Sequence, residues 1–436
     1  MGPGRIGSWE PLMPPTPIAA DPTLGRAASP PAAGPDVASG RTPPHLITLV
    51  LLAGGAVMAM NIFLPVLPII ADELNTTDAA SQYVLTLFLA VTAVAQLFIG
   101  PLSDRFGRRP VLLATLSVFS LATLVCIFAT SIEMLLVGRV FQASAAASIA
   151  LSRAIVRDLY DRSKAASMIG YVTMAMAVIP MVAPAIGGWV GERFGWQGPF
   201  VVLFGVGLLL LALVWFDLGE THRPRRDPVM NQVRDYGRLL REPLVWGYVG
   251  TATLSSGAYF AFLGGAPFVA AKVIGMTPAA IGWQFMCVAA GYIVGNFLSG
   301  RYSERIGIEP MMLAGCVVAA VGVGLSLMFT TAFGASAAAL FWPMAMVGLG
   351  NGMTLPNSNA GAVSVRPELA GSASGLAGAM QIGGGAVLAI LSGELITVEN
   401  GGLPLFVIMF ASSVAGALIA YGMWRHARLS GSAATA

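Results

Sequence analysis

Residues 100–110 read GPLSDRFGRRP and stand between two apolar runs, at 81–102 and 110–130. A second copy of the pattern begins 200 residues later, with Gly300, Ser303, Glu304, Arg305 and Gly307. A Phe-Leu-x-x-x-Pro pattern also occurs twice, at 63–68 and at 262–267, which is an offset of 199. Two repeats at nearly the same offset predict two homologous halves. Such halves are typical of transporters that bind substrate between them.

Apolar runs long enough to cross a bilayer as helix dominate the chain. Hydrophobic residues make up 56% of the 436 residues and charged residues 10%, against roughly 25% charged in an ordinary globular domain. The runs lie at 45–67, 81–102, 110–130, 133–155, 165–190, 197–217, 244–271, 278–300, 309–330, 335–357, 370–396 and 403–424. They are too long for barrel strands of about ten residues. The sequence therefore predicts an all-α membrane protein with twelve transmembrane helices in two pseudo-symmetric six-helix halves.

Polar segments divide the chain further. Residues 1–44 hold eleven of the 28 prolines and are predicted to be a disordered cytoplasmic tail. The other parts are predicted as six-helix bundles at 45–217 and 244–425, a central cytoplasmic loop at 218–243, and a cytoplasmic tail at 426–436. The loop is rich in arginine. It is interpreted as a plain linker between the halves, with a short amphipathic surface helix around 233–240 as the alternative.

Positive charges are distributed unevenly between the two sides of the membrane. With the N-terminus inside, the loops after runs 2, 4, 6, 8 and 10 and the C-terminal tail carry 18 Lys and Arg residues, when Arg153 at the end of run 4 is counted with its loop. The loops on the other side carry two, Arg193 and Lys272. Since Lys and Arg favour cytoplasmic loops, we predict a multi-pass protein of the cell inner (plasma) membrane with both termini in the cytoplasm. The net charge of +3 gives no reason to expect a nucleic-acid partner.

Other classes of membrane protein find little support. The three cysteines lie in apolar runs and the three histidines are scattered, so we predict no metal site and no cofactor. A membrane-embedded enzyme needs clustered His, Cys or carboxylates at membrane depth, and an ATP-driven pump needs a phosphate-binding loop. The sequence has neither. It also lacks a soluble output domain of the kind that a membrane sensor needs, so we predict that the protein is not an enzyme or a sensor.

The segment 100–110 resembles the signature between spans 2 and 3 of the major facilitator superfamily, in both sequence and position. Glycines permit a tight turn and close helix approach, and an Asp in this place can pair with arginine or face a helix N-terminus. The resemblance implies a gating motif that latches one conformation of the transport cycle. It consists of Gly100, Asp104, Arg105, Gly107, Arg108 and Arg109. The arginines alone are also consistent with an ordinary cytoplasmic loop.

An arginine lies about six residues inside run 4. Arg139 and Gln142 resemble the span 4 motif of the same superfamily, although Ala143 replaces its usual glycine. A charge at this depth is unfavourable unless it is paired or faces water. The resemblance therefore makes Arg139 and Gln142 candidates for coupling transport to protons. The alternative is that Arg139 extends to the external headgroups.

Run 5 carries small residues and a proline at defined spacing. Gly170, Pro184, Gly187 and Gly188 resemble the span 5 motif of exporters in this superfamily, whereas Ile179 and Ala183 replace two of its glycines. Small residues permit close helix packing and proline kinks a helix. The resemblance implies export, and ordinary helix packing is the alternative.

Four shorter segments point to one branch of the superfamily. NIFLPVLP at 61–68, RAIVRDLY at 153–160, YFAFLGGAPF at 259–268 and AGSASG at 370–375 together resemble the bicyclomycin and chloramphenicol resistance (Bcr/CflA) drug exporters. The resemblance covers roughly 45–425. This branch commonly has an Asp where Asn61 stands, and no predicted span has Asp or Glu at its middle. The sequence thus lacks the usual intramembrane proton carrier and receptor for cationic drugs.

Polar and aromatic residues at the predicted middle of the bundle are candidates for binding substrate. The resemblance places the pocket mainly among spans 1, 4, 7 and 10. The candidates are Asn61, Tyr83, Tyr259, Phe260, Phe262, Asn296 and Gln381, with Trp283 beside them. Apolar walls with few polar groups suit a drug-sized amphipathic solute, although each of these residues also suits ordinary helix packing.

These patterns predict a secondary active exporter of small amphipathic drugs, phenicol-like or bicyclomycin-like. It would exchange them for protons across the inner membrane by alternating access. The alternative is a proton-coupled exporter of an endogenous metabolite, such as an amino acid, a sugar or a nucleoside, since fold-level resemblance does not separate the two. The expected partners are the drug-like substrate, protons and the lipid bilayer. A monomer is expected, because two halves already enclose a site.

Overall fold

The computed structural model describes residues 44–160, 162–221 and 230–433, and within these ranges it contains helices and no strand. Helices satisfy their backbone hydrogen bonds within the segment, as lipid requires. The predicted tail at 1–44 lies almost wholly outside the described residues, so its disorder stays a prediction.

Eight helices form the first half of the chain. They are α1 (Leu46–Asn61), α2 (Leu67–Glu73), α3 (Asp78–Phe106), α4 (Arg108–Ile127), α5 (Ile132–Gln142), α6 (Ala146–Leu159), α7 (Arg162–Phe194) and α8 (Gly198–Phe216). Helices α1 and α2 together make span 1, and α5 and α6 make span 4. A short 3₁₀ turn joins each pair, at Leu64–Val66 and at Ala143–Ala145.

Eight further helices follow in the described residues. They are α9 (Met230–Leu239), α10 (Pro243–Phe268), α11 (Pro278–Ile306), α12 (Ile308–Phe333), α13 (Ala337–Phe341), α14 (Met344–Val365), α15 (Ala370–Leu395) and α16 (Leu403–Ala433). Helices α13 and α14 together make span 10, and a π turn extends α10 to Val273. The predicted tail at 426–436 begins as a continuation of α16.

Twelve segments of the described chain are long and apolar enough to cross a membrane. This confirms the prediction of twelve spans. Several of the observed helices extend past the apolar runs, because the polar residues at their ends remain helical. The run at 81–102 becomes α3, Asp78–Phe106, whose first turn is capped by the Thr77 hydroxyl accepting from the Ala80 N–H at 3.1 Å.

The internal repeat is visible in the backbone. Helices α3 and α11 both have 29 residues and begin 200 positions apart. Thr277 caps α11 as Thr77 caps α3, accepting from the Ala280 N–H at 3.4 Å. Gly107 and Gly307 end these helices with φ of 95° and 99°, a backbone conformation that glycine adopts without strain. The two halves therefore share local geometry as well as sequence.

The two halves meet along two seams, α3 against α15 and α7 against α11. We call the membrane face that carries residues 103–110 the motif face, and the other the opposite face. The α3–α15 seam runs from Gln82 beside Gly393 to Gln96 beside Gly378. Nearer the motif face, a Cβ built on Gly100 would meet no atom within 4 Å. Along this seam the two halves are therefore in contact from the opposite face as far as Gln96, and they are separated at Gly100, next to the motif.

Helix α9 lies in the predicted central loop, so the amphipathic-helix alternative for 233–240 is the one that the structure supports. The Tyr236 hydroxyl on α9 donates to the Leu97 carbonyl at 3.4 Å, and burial raises the Tyr236 pKa. Leu239 is completely buried beside Tyr248 and Met312. The segment therefore packs against both halves at the motif face.

Asp217 joins the start of span 1 to the end of span 6. Its carboxylate accepts from the His45 N–H at 3.0 Å and from the Thr48 hydroxyl at 2.5 Å, and its other oxygen lies 2.6 Å from His45 Nδ1. Burial raises the Asp217 pKa, but these hydrogen bonds outweigh it and the pKa is lowered. The contact stabilises the fold above the ordinary pKa of Asp and is lost as pH falls through the lowered value.

Candidate transport site

The gating motif is held by one arginine between two helix ends. Arg108 Nη1 lies 2.6 Å from the Asp104 carboxylate and its Nε donates to Asp158 at 3.0 Å. It also donates to the Ser103 hydroxyl. Its side chain is 8% exposed and that of Asp104 is 41% exposed. Arg108 thus connects the ends of α3 and α6 at the start of α4, within the first half.

The first turn of α4 is capped from span 6. The Glu220 carboxylate accepts from the Arg108 N–H at 2.9 Å and from the Arg109 N–H at 3.3 Å, an arrangement that the helix dipole favours. Gly107 has a φ of 95°, which residues with a Cβ rarely adopt, and a Cβ there would also lie 2.5 Å from this carboxylate, so glycine is favoured there. Arg109 donates to the Trp215 carbonyl at the end of α8 at 2.9 Å.

The equivalent loop of the second half lacks this network. Ile308 stands where Arg108 stands in the first half, and Glu309 accepts instead from the Tyr248 hydroxyl at 2.5 Å. Glu304 and Arg305 are exposed. The two loops therefore share their backbone turn but not their ion pairs.

Arg139 is completely buried inside the first half. Its Nε donates to the Val84 carbonyl at 2.8 Å, and its Nη1 donates to the Ala59 carbonyl at 3.2 Å and to Gln142 Oε1 at 2.6 Å. The Ala59 carbonyl lies in the last turn of α1, where helix carbonyls lack intrahelical partners. Gln142 in turn donates to the Thr123 hydroxyl at 2.7 Å.

Two aromatic rings complete the surroundings of Arg139. Its guanidinium carbon lies 4.1 Å from the centroid of the Phe63 ring and 4.3 Å from that of Phe88, close enough for cation–π attraction. Among the described residues no carboxylate forms an ion pair with Arg139. The side chain does not extend to the headgroups, and it binds spans 1, 2 and 4 together. Its role in proton coupling stays a prediction.

The exporter motif lies at close contacts of the backbone. A Cβ on Gly187 would lie 1.6 Å from the Ile62 carbonyl oxygen in span 1. One on Gly188 would lie 2.2 Å from the Pro278 carbonyl oxygen of the other half. Reciprocally, a Cβ on Gly282 would lie 2.3 Å from the Pro184 carbonyl oxygen. Gly170 also lies in α7, but the structure does not describe its surroundings.

Three polar contacts join the halves at the opposite face. Lys272 at the end of span 7 pairs with Asp72 of α2. The Tyr83 hydroxyl donates to the Glu394 carboxylate of α15 at 2.7 Å. Glu192 of α7 accepts from the Ala279 N–H in the first turn of α11 at 3.1 Å. We call these three contacts the outer gate.

Reversing the charge of Lys272 is expected to weaken the outer gate. In Lys272→Asp the new carboxylate faces Asp72 and Asp78. Because Asp72 is 63% exposed, we expect a two- to fivefold lower transport rate rather than complete loss. The exchange variant Asp72→Lys/Lys272→Asp should recover most of the rate. Equal rates in the single and exchange variants would mean that the pair does not hold the gate.

Several predicted pocket residues lie inside one half and away from the seams. Asn61 is 1% exposed and donates to the Val57 carbonyl at 2.7 Å. Phe262 is buried in a cluster with Phe285 and Phe341, with ring centroids 5.6 and 5.7 Å away. Trp283 is 58% exposed on α11. Asn61 and Phe262 pack the helices, Trp283 lies at the surface, and the structure does not bring the three together.

Three other candidates lie apart from one another. Tyr83 belongs to the outer gate, near the opposite face. Gln381 on α15 donates to the Asn359 side chain of α14 at 2.8 Å. Phe260 is 7% exposed and lies against Gly385, where a Cβ would be 2.1 Å from its ring. The seven candidates therefore do not form a single cluster.

A different group of side chains meets between the two halves. Tyr292 is the middle residue of α11, and its hydroxyl interacts electrostatically with Arg153 of α6, in the other half. Tyr259 interacts with Tyr292, and Asn296, one turn along α11, donates its amide to the Tyr292 backbone carbonyl at 2.8 Å. Arg153 Nη2 lies 3.7 Å from the Met176 sulfur of α7. We call Arg153, Met176, Tyr259, Tyr292 and Asn296 the central cluster.

The central cluster contains two of the predicted pocket candidates, Tyr259 and Asn296, whereas Arg153 and Tyr292 are not among those candidates. Arg153 was counted with the cytoplasmic loop charges, but the structure places it in α6, within span 4. Its position inside the apolar run at 133–155 is the signal that identifies it. A charge within a span is a functional candidate by default.

Two repeated six-helix halves around a polar cluster define a helical membrane transporter of the two-repeat kind. The sequence model of the Major Facilitator Superfamily matches residues 49–390, and the chain therefore belongs to this superfamily of transporters. This confirms the prediction that the protein is a transporter and not an enzyme.

The relatives of this chain include proteins named for drug resistance. A bicyclomycin resistance protein homolog of Haemophilus influenzae is 31% identical over 79% of this chain and 88% of its own length. Multidrug resistance protein D of Escherichia coli is 30% identical over 84% and 92%. A bacterial homolog of the human lysosomal transporter Spinster, crystallised in an inward-facing and occupied conformation, superposes with a TM-score of 0.67 over 87% of this chain and 96% of its own, at 18% identity. That likeness concerns the fold alone.

Proposed function

We propose that the protein exports small amphipathic compounds, phenicol-like or bicyclomycin-like, in exchange for protons by alternating access. The observation that carries the proposal is the central cluster, to which both halves contribute and which has few polar groups among apolar helices. The drug-resistance names of the relatives and the exporter motif of α7 support the direction and the substrate class.

The motif face is proposed to be the cytoplasmic face of the inner membrane, because its loops carry most of the Lys and Arg residues. The outer gate then closes the site from the outside, and the parting of the halves near Gly100 admits substrate from the inside. Closure at the motif face would bring Asp104 to the first turn of α15, where a carboxylate is favoured. The protein would work as a monomer.

Proton coupling is proposed to involve Asp104 of the gating motif and Arg139 with Gln142. The carboxylates of the described residues lie towards the ends of the helices, and Asn61 occupies the position where a proton carrier is usual in the Bcr/CflA branch. A carboxylate whose contacts change between two conformations can bind a proton in one and release it in the other.

Vesicles test this proposal. Inside-out vesicles are energised to an acidic interior, and a quenched dye reports internal pH. Neutral phenicols, bicyclomycin-like compounds, cationic drugs, amino acids and sugars are then added in turn. We expect neutral drugs to release protons, and Asp104→Asn to slow the release about tenfold because its interaction with Arg108 and α15 is weakened.

The second repeat provides the matched control. Glu304→Gln changes the equivalent carboxylate, which is exposed, and should leave the rate within about twofold. Equal effects of Asp104→Asn and Glu304→Gln would contradict a special role for the gating motif. A response to one class of metabolite, with none to any drug, would favour the second candidate, export of an endogenous metabolite. The polar groups of the central cluster are compatible with that candidate.

A further inference from the structure

The central cluster has a positive charge and no counter-ion among the described residues. Arg153 lies in α6, towards the motif-face end of span 4, and interacts with Tyr292 of the other half. None of the described carboxylates pairs with it. Arg157, one turn closer to the motif face, is exposed and adds charge of the same sign. A cation within a membrane span is unfavourable unless it is neutralised or hydrated.

The hydrogen bonds of Arg153 are also incomplete. Its Nη2 has the Met176 sulfur as partner, which is a weak acceptor, and its Nε is buried without a hydrogen-bond partner among the described residues. Arg139 provides the internal comparison. Its Nη2 also lacks a hydrogen-bond partner among the described residues, but its Nε and Nη1 have two carbonyls and an amide oxygen as acceptors, and its guanidinium lies against two aromatic rings. The fold therefore satisfies most of the needs of one intramembrane arginine and leaves the other open.

The neighbours of Arg153 supply further hydrogen-bond donors. The hydroxyl groups of Tyr292 and Tyr259 and the amide of Asn296 can all donate, and none of them carries negative charge. A site of one guanidinium and several neutral donors complements a group with several acceptor atoms and negative charge. The apolar side chains around it, such as Phe260 and Met176, suit a hydrophobic body attached to that group.

We infer that the central cluster binds the acid group of amphipathic organic acids, with Arg153 as its counter-ion. This inference rests on the proposed export function and adds a substrate class to it, amphipathic acids, beside the neutral phenicol-like and bicyclomycin-like compounds. The carboxylate of such a compound would accept from the Arg153 guanidinium, with the tyrosine hydroxyls as additional donors. The anion would neutralise the charge that the empty site leaves exposed, so acids are preferred over their neutral and cationic analogues.

Three ligands with one ring system test the preference. They are 1-naphthoate, 1-naphthamide and 1-naphthylmethylammonium, which differ mainly in charge. Binding to the purified full-length protein is measured by equilibrium dialysis at fixed ionic strength. We expect naphthoate to bind about tenfold or more tightly than naphthamide, and the ammonium compound to bind most weakly.

Variants identify the residue responsible. Arg153→Gln should weaken naphthoate binding about tenfold and leave naphthamide within about twofold, which also shows that the variant is folded. Arg153→Lys keeps the charge, so its affinity for naphthoate should lie between those of the parent protein and Arg153→Gln. Arg157→Gln is the matched control, because it removes an exposed arginine from the same helix; we expect less than a threefold change.

Several results would overturn the inference. Equal affinity for acid and amide would do so, as would equal effects of Arg153→Gln and Arg157→Gln, or loss of naphthamide binding together with naphthoate in both Arg153 variants. Complete displacement of naphthoate by equimolar chloride would mean that the site takes small inorganic anions.

Uptake of the same compounds into inside-out vesicles separates the two proposals. Equal transport of all three compounds would be consistent with the export function and would contradict the acid site. Arg153-dependent binding without transport would be consistent with the acid site and would contradict the export function.

Discussion

Alanine in place of Gly188 is expected to keep the outer gate from closing. The new Cβ would lie 2.2 Å from the Pro278 carbonyl oxygen and 2.8 Å from its carbon, and both are backbone atoms of the other half. Backbone cannot change rotamer, so α7 and α11 must separate. Overpacking of this kind costs about 1–3 kcal/mol, which lowers the closed population and the transport rate roughly ten- to hundredfold. Gly282→Ala should act in the same way from the other side.

Distances between spin labels measure this opening. The labels are placed at Glu73 and Val398, which are exposed at the opposite face in the two halves, after the native cysteines have been replaced by alanine. We expect Gly188→Ala to shift the distance distribution to longer values. Gly205→Ala is the control, because a Cβ there meets no atom within 4 Å. If Gly188→Ala and Gly205→Ala give the same distance distribution and the same transport rate, backbone contact does not control the gate.

Replacing Arg139 is expected to destabilise the first half of the protein. Arg139→Met leaves Gln142 Oε1 and the Val84 and Ala59 carbonyls without their donor, and it removes the charge from between Phe63 and Phe88. Unsatisfied buried groups cost about 1–3 kcal/mol each, so the midpoint of thermal unfolding should fall by about 5 °C or more. Arg139→Lys should also be destabilised, because one ammonium cannot reproduce the fork of the guanidinium.

Arg193→Met is the control for this prediction. Arg193 is exposed at the opposite face and lies 4.8 Å from the Trp189 ring, so its loss should change stability by less than about 0.5 kcal/mol. Unfolding is followed by near-UV circular dichroism in detergent. Arg139→Lys that unfolds like the parent protein but loses pH-driven transport would contradict the structural role and support the coupling role.

Sequence analysis predicts most of the fold because the bilayer restricts what a span can be. Each apolar run corresponds to a helix or a helix pair, and the repeat of Thr77 and Thr277 and of Gly107 and Gly307 reproduces the same cap and the same turn. The gating motif is also local: residues 103–110 are contiguous, so their turn follows from the segment itself. Helix ends are less well predicted, since polar residues such as Asp78 and Arg105 remain helical beyond the apolar run.

The pocket is harder to predict because it depends on which way each helix turns in its bundle. Phe260 and Phe262 are two residues apart on α10, yet one packs against α15 and the other against α11 and α13. The hydropathy of α10 does not reveal this, because lipid, core and seam all accept aromatic side chains. Arg153 shows the opposite error. It is not a predicted pocket residue, because it stands near the end of an apolar run, yet its side chain extends between the halves.

The close packing of α7 against α11 through main-chain atoms has a consequence for how the protein can evolve. The surfaces that meet at Gly188 and Gly282 require only the absence of side chains. Mutations that reshape the central cluster therefore need no compensating change in the parts that open and close. New substrates can be acquired by changing a few side chains, while the mechanical movement is inherited unchanged.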